Sequence, residues 1–169
     1  QEAKIELIST VMPQLLALSK QSTAQVVTRQ YEGIDGFRVV YEDMLDIMER
    51  AHETRLYAVS NPNMLTYVPR FFPKWLERRM QLGIYTHLIA TSQSSEELPQ
   101  IYASNELRET RLAPKSITFN STVDIYGDNV ALFSFESDEP ATTIVIESKA
   151  VAAIFRQFFE TLWSVSRKT

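Results

Sequence analysis

The sequence predicts an α/β fold in which helices flank a mixed sheet, and three observations carry that prediction. Short apolar runs of strand length, such as Arg55–Ser60 (RLYAVS) and Ile84–Thr91, alternate with stretches of helical period. Residues 117–126 alternate strictly, then turn through Gly127-Asp128-Asn129 into a second apolar run, which is hairpin chemistry. The composition is that of a folded globular chain, with 44% hydrophobic and 22% charged residues over 169 positions.

Residues 2–20 pattern as a helix with Ile5, Ile8, Met12 and Leu15 at the 3-4-3 spacing of a coiled-coil seam, interrupted by Pro13. The polar stretch Lys20 to Gln25 reads as a linker, which divides the chain into a dimerisation helix (1–24) and an α/β domain (25–169). A strand is expected around Val26–Tyr31. Gly33 and Gly36 open a helix whose stripe of Ile34, Phe37, Tyr41, Met44 and Met48 alternates with acids. After the 55–60 strand, Asn61-Pro62 supplies an N-cap and first-turn proline, and Pro69 and Pro73 break the following region, to Leu82, into short pieces. Ser94 with Glu97 makes a capping box for a helical region near 95–109. On the alternating strand, Ile117, Phe119, Ser121, Val123 and Ile125 share one face and Thr118, Asn120, Thr122, Asp124 and Tyr126 the other. Val130–Phe135 and Thr142–Ile146 follow as strands, and Ser148 caps a last helix built on Val151, Ile154, Phe155, Phe158, Leu162 and Trp163. The alternation of strands and helices implies a largely parallel sheet with a late antiparallel part.

Several function classes are excluded. There is no cysteine, hence no disulfide framework and no thiolate chemistry, and this fits a cytoplasmic protein. No apolar run is long enough to span a bilayer, so no membrane contact is implied. The two histidines, His52 and His87, have no metal-ligand spacing, and four glycines leave no room for phosphate or dinucleotide loops, so no metal or cofactor is implied. A net charge of −4 and a pI near 5.3 argue against this chain binding nucleic acid by itself. Arg70, Lys74, Arg78 and Arg79 cluster beside Phe71, Phe72 and Trp75, which reads as the solvated face of a helix with an aromatic core side. The chain opens on Gln1 and runs straight into helical sequence, which reads as part of a longer protein with any DNA-reading portion upstream.

The segments YEGIDGFRVVYEDML, RLYAVSNP, FPKWLERRMQLGI, VDIYGDNVALFSF and IVIESKAVAAIFRQFFETLW, in this order and spacing, resemble the C-terminal domains of TrmB-type transcription regulators. The resemblance implies a phospholipase-D-like mixed sheet flanked by helices. Catalytic members of that fold carry His-x-Lys-x-x-x-x-Asp. With Asp128 as the acid, the motif needs His at 121 and Lys at 123, where this chain has Ser121 and Val123. A serine without a base is a poor nucleophile and a valine cannot neutralise phosphate, so no catalytic residue is expected.

The expected function is therefore the effector-binding and dimerisation part of a DNA-binding regulator, non-catalytic, with DNA contacted only through a winged-helix part outside this chain. The expected partners are a second copy, through Ile5, Ile8, Met12 and Leu15, and a small effector, a sugar or other metabolite. Strand ends supply the expected contacts: Tyr31, Glu32, Gly33, Ser60, Asn61, Thr91, Asn120 and Ser121. The alternatives are an oligomerisation scaffold without a ligand and a residual phosphodiesterase.

Overall fold

The computed structural model describes residues 26–91, 98–105, 107–118, 121–135 and 140–169. The seam at Ile5, Ile8, Met12 and Leu15, the capping box at Ser94 and Glu97, and Asn120 lie outside the described residues.

The elements run β1 (Val27–Glu32), α1 (Gly33–Ala51), β2 (Arg55–Ser60), a 3-10 turn at Pro62–Thr66, α2 (Phe72–Gln81), β3 (Tyr85–Ala90), a 3-10 turn at Gln100–Tyr102, β4 (Arg108–Leu112), β5 (Ser121–Tyr126), β6 (Asn129–Ser134), β7 (Thr142–Glu147), α3 (Lys149–Val165) and β8 (Arg167–Lys168). They form one eight-stranded sheet in the order β1-β7-β6-β5-β2-β3-β4-β8. Only β2, β3 and β4 run parallel to one another. Every other pairing is antiparallel, because β1 joins the far edge beside β7 rather than lying next to β2. The sheet is thus mixed, and the expectation of a largely parallel sheet is corrected.

Both faces of the sheet are covered. On one face α1 buries Phe37, Val40, Tyr41, Met44, Leu45 and Met48, which pack with Phe72 and Trp75 of α2 and with Tyr126 and Phe133. Tyr41 stacks on Phe133 at 4.7 Å and meets Trp75 edge-on at 5.2 Å, orientations that suit the ring quadrupoles. On the other face α3 packs Ala152 and Phe159 against Val59, Ile89, Ile125 and Val130. Two glycines have specific duties at the start of α1. Gly33 takes φ +74, and a side chain on Gly36 would put its Cβ 2.7 Å from that of Tyr31. Asn61 accepts from the Asn63 amide, and Pro73 falls in the first turn of α2, where it starts a helix rather than breaking one.

Two expectations change. Arg108–Leu112 is a strand, not the end of a helix at 95–109. Its buried side holds Arg108 and Thr110, which satisfy themselves on the carbonyls of Ala103 and Tyr102, so a polar pattern occupies interior positions. On α3, Ile154 and Phe158 are exposed (53% and 66%), while Ala152 and Phe159 take the buried positions. The stripe as read from sequence therefore mixes two faces of that helix.

Phe37 is wholly buried among five aromatic neighbours, whereas Val39 points away from the sheet. Phe37→Ala is expected to cost about 3–5 kcal/mol in urea unfolding, and Val39→Ala to stay within about 0.5 kcal/mol. Equal effects at the two positions would contradict this packing.

Candidate functional site

The strands alternate, so even-numbered residues of β2, β3, β4 and β5 face α1 and α2. In the middle of that face lies a cavity of about 60 Å³, which has room for roughly four waters. Its floor is the sheet, with Ala58, Ser60, Thr86, Leu88, Arg108, Thr122 and Asp124, and its roof includes Tyr41, Met64, Trp75 and Tyr102.

The polar groups are close-set and almost fully buried. Ser60 Oγ lies 2.7 Å from the Tyr102 hydroxyl and 3.2 Å from Thr122 Oγ1. This follows from register: β2 pairs antiparallel with β5 with Val59 opposite Val123, which places Ser60 beside Thr122. Burial pushes the Tyr102 hydroxyl up to about 12, against the opposing pull of its bond to Ser60.

Asp124 is 2% exposed, and its Oδ2 has no hydrogen-bond partner among the described residues. Burial pushes its carboxyl up to about 7, while a hydrogen bond from Tyr41 pulls the other way. The Tyr41 hydroxyl also lies 3.8 Å from Met64 Sδ. A carboxylate is much the stronger acceptor, so we assign the Tyr41 proton to Asp124.

Two arginines are buried on the β4 side. Arg79, at the end of α2, gives Nη1 to the carbonyls of Ile84 and Leu107 and to Thr86 Oγ1, at 2.7–2.8 Å. Its Nε and Nη2 are buried without partners. Arg108 gives Nε and Nη2 to the Ala103 carbonyl. Neither arginine has a carboxylate partner among the described residues. Burial, then the charge of Arg108, lowers Arg79 to about 10, and burial lowers Arg108 as well.

Of the strand-end residues expected from sequence, Ser60 is part of this cluster. Asn61, Thr91 and Ser121 sit at the same end of the sheet, where Ser60 of β2 pairs with Ala90 of β3 and where β5 begins. Tyr31, Glu32 and Gly33 lie at the β1 edge, three strands from Ser121 through Ser134 and Thr142, or roughly 14 Å. There the Gly33 amide is already used, donating to the Ala141 carbonyl at 2.7 Å, and Tyr31 lines a separate surface depression with Arg29, Asp43 and Glu147. Tyr41, Tyr102, Arg108, Thr122 and Asp124 escaped the sequence reading. The usable signal was an acid in mid-strand between Val123 and Ile125, on a strand that the fold places at the centre of the sheet.

Ser121, Val123 and Ile125 face α3 instead. Ser121 opens β5 while Asp128 follows its other end; Ser121 and Tyr126 alone are separated by about 17 Å. The Asp128 carbonyl accepts from the Ser148 amide at the start of α3. The basic cluster is also dispersed. Arg78 pairs with Glu42, Asp46 and Glu49 of α1, and Arg79 is buried, leaving Arg70 and Lys74 exposed. His87 is packed among Tyr57, Tyr85 and Trp163. No helix among the described residues is long and apolar enough to cross a membrane.

A mixed sheet covered by helices on both faces, with these connections, is the phospholipase-D-like fold. In particular, the structure is similar to TrmBL2, an archaeal chromatin protein with a novel mode of DNA binding, with a TM-score of 0.60 and 16% identity over 99% of this chain and 65% of that one. It is similar to Nuc of Salmonella typhimurium, a phospholipase D family member, with a TM-score of 0.60 and 16% identity over 86% of this chain and 99% of that one. NucT from Helicobacter pylori gives 0.60 and 10% identity over 86% of this chain and 100% of that one. This chain thus spans 65% of the length of TrmBL2. No family model matches the sequence, and no curated protein does.

The Asp124 carboxyl yields a pH test. Its folded pKa lies above the ordinary carboxyl value of 3.8, so the folded state holds a proton that the unfolded state releases. The burial penalty is absent below about pH 4, grows as pH rises toward 7, and is constant above. A shift from 3.8 to about 7 corresponds to a few kcal/mol at about 1.4 kcal/mol per unit. Asp124→Asn should gain stability relative to the parent between pH 4 and 7 by that order in urea unfolding. A difference that stays flat with pH would refute the buried, proton-holding state.

Proposed function

We propose that this chain is the effector-binding and dimerisation domain of a DNA-binding transcription regulator, and that it is not a catalyst. The cavity at Asp124 carries the reading: a small pocket at the centre of the sheet, mostly apolar in lining, with a buried carboxylate oxygen left without a partner among the described residues. The likeness to TrmBL2 over 99% of this chain supports the regulatory context; in this reading, DNA is contacted by a part outside these residues. Ser121 and Val123 in the strand positions of a phosphodiesterase His and Lys, on the face opposite the cavity, argue against hydrolysis.

Dimerisation would use the Ile5, Ile8, Met12 and Leu15 seam and the exposed α3 residues Ile154, Phe158 and Val165. An effector in the cavity would act by binding one dimer arrangement better than another, since equal affinity shifts nothing. A scaffold without a ligand is the second reading, favoured by the same apolar α3 face.

Two measurements test these assignments. Ala58 lines the cavity floor, so Ala58→Leu should fill it without changing charge. In a thermal-shift screen of small metabolites, at least one compound should stabilise the parent and leave Ala58→Leu unmoved; a screen in which none does so overturns the effector reading. In light scattering at tens of micromolar, on the order of ordinary dimer affinities, the chain should run as a dimer and Ile154→Asp with Phe158→Asp as a monomer. A monomeric parent would sink the dimerisation role.

A further inference from the structure

The cavity has two chemically opposite ends, and each is incomplete. At the β5 end stands the Asp124 carboxylate with Oδ2 unpartnered. At the β4 end stands the Arg108 guanidinium, 7% exposed, with Arg79 behind it across Thr86. Buried charges without counter-charges are costly, and here a negative and a positive group face the same small space. They do not pair with each other directly. Asp124 lies opposite Ala58 and Ala58 opposite Leu88, while Arg108 pairs with Thr86, so three strand spacings and a two-residue offset separate their backbones, or roughly 16 Å. Tyr102 stands between them, influenced by both charges.

We propose that the cavity takes a small zwitterion of the amino-acid type, with its ammonium on Asp124 and its carboxylate at Arg108. This deepens the effector reading and rests on it. Three observations restrict the class. No carboxylate among the described residues pairs with Arg108 or Arg79, so a cation alone would leave them uncompensated there, and an anion alone would leave Asp124 so. The volume of about 60 Å³ favours a small ligand. Between the charged ends, the lining is apolar or hydroxylic: Leu56, Ala58 and Leu88 could take a methyl group, while Ser60, Tyr102 and Thr122 already bond to one another. Tyr41 and Trp75 wall the Asp124 end with aromatic rings, which also favours an ammonium group there.

The groups that face Asp124 are Tyr41 from α1, Tyr126 from its own strand and Tyr102 from the 3-10 turn, with Arg79 and Arg108 beyond. Both tyrosines flanking the cavity hold their protons well past neutrality, so Asp124 is the group of this set that titrates between pH 5 and 8. An ammonium ligand needs the ionised carboxylate. Affinity for it should therefore rise with pH up to about 7 and then level off.

The test is calorimetric titration of the full chain with glycine, L-alanine, ethylamine and propionate, the last two each keeping one charged end of alanine. Alanine or glycine should bind, and ethylamine and propionate at least about tenfold more weakly, as expected for loss of a charged hydrogen bond. Asp124→Asn should weaken alanine by about tenfold or more and bring it level with propionate, with its fold checked by circular dichroism. Ethylamine matching alanine would remove the Arg108 contact, and propionate matching alanine would remove the Asp124 contact; either overturns the zwitterion. No heat with glycine or alanine up to roughly 10 mM also overturns it. A different metabolite that stabilises the parent but not Ala58→Leu would then leave the effector reading standing with the ligand class wrong. Alanine bound equally by the parent and Ala58→Leu would place its site elsewhere and remove the support of this cavity for both.

Discussion

The covering of both faces of the central strands is the constraint on which the site depends. β5 and β2 lie in the middle of the sheet, with α1 and α2 on one side and α3 on the other. Neither face of β5 can therefore be a solvent face, and any polar side chain on it must be buried. Thr122 and Asp124 are buried for this reason, and Thr122 meets its hydrogen-bonding need on Ser60 across the register. Among the described residues Asp124 has only Tyr41 to serve it, and one oxygen is left over. A fold that leaves such a group open in its interior sacrifices stability there, and ligand sites are where such sacrifices collect.

The same constraint explains how much could be read from the sequence. The α1 stripe of Phe37, Tyr41, Met44 and Met48 was legible because one face of a helix carries all its apolar residues. The β5–β6 hairpin was legible from alternation and from Gly127-Asp128, with Gly127 at φ +55. By contrast, β4 was illegible. Its interior positions are Arg108 and Thr110, and no periodicity rule assigns those to a core unless the carbonyls that receive them are known. The α3 stripe was misjudged in phase because apolar residues occupy two of its faces, one toward the sheet and one outward.

The candidate site was legible only at one point, Ser60, for a similar reason. Strand ends can be located from sequence, but pairing across the sheet cannot, and the site is built by pairing. Ser60 and Thr122 are 62 residues apart, and Ser60 and Tyr102 are 42 apart. The alternating pattern of β5 placed Thr122 and Asp124 together on one face but could not say what that face meets. Only the placement of β1 at the far edge, beside β7, brings β5 against β2 and turns that face inward.

Fold and function separate along the same sheet. The strand that would carry phosphodiester chemistry presents Ser121 and Val123 toward α3, and the same strand presents Thr122 and Asp124 toward α1 and α2. A period of two gives one strand two independent faces, so the residues on one face place no demand on the other. The Asp124 face answers to different partners: Tyr41 from α1, Tyr102 from the 3-10 turn and Arg108 from β4. These reach the cavity from elements on both sides of it, so an occupant that drew them together would couple α1 and α2 to the middle of the sheet. Such a coupling would let an occupant of the cavity change how the two helical layers sit on the sheet.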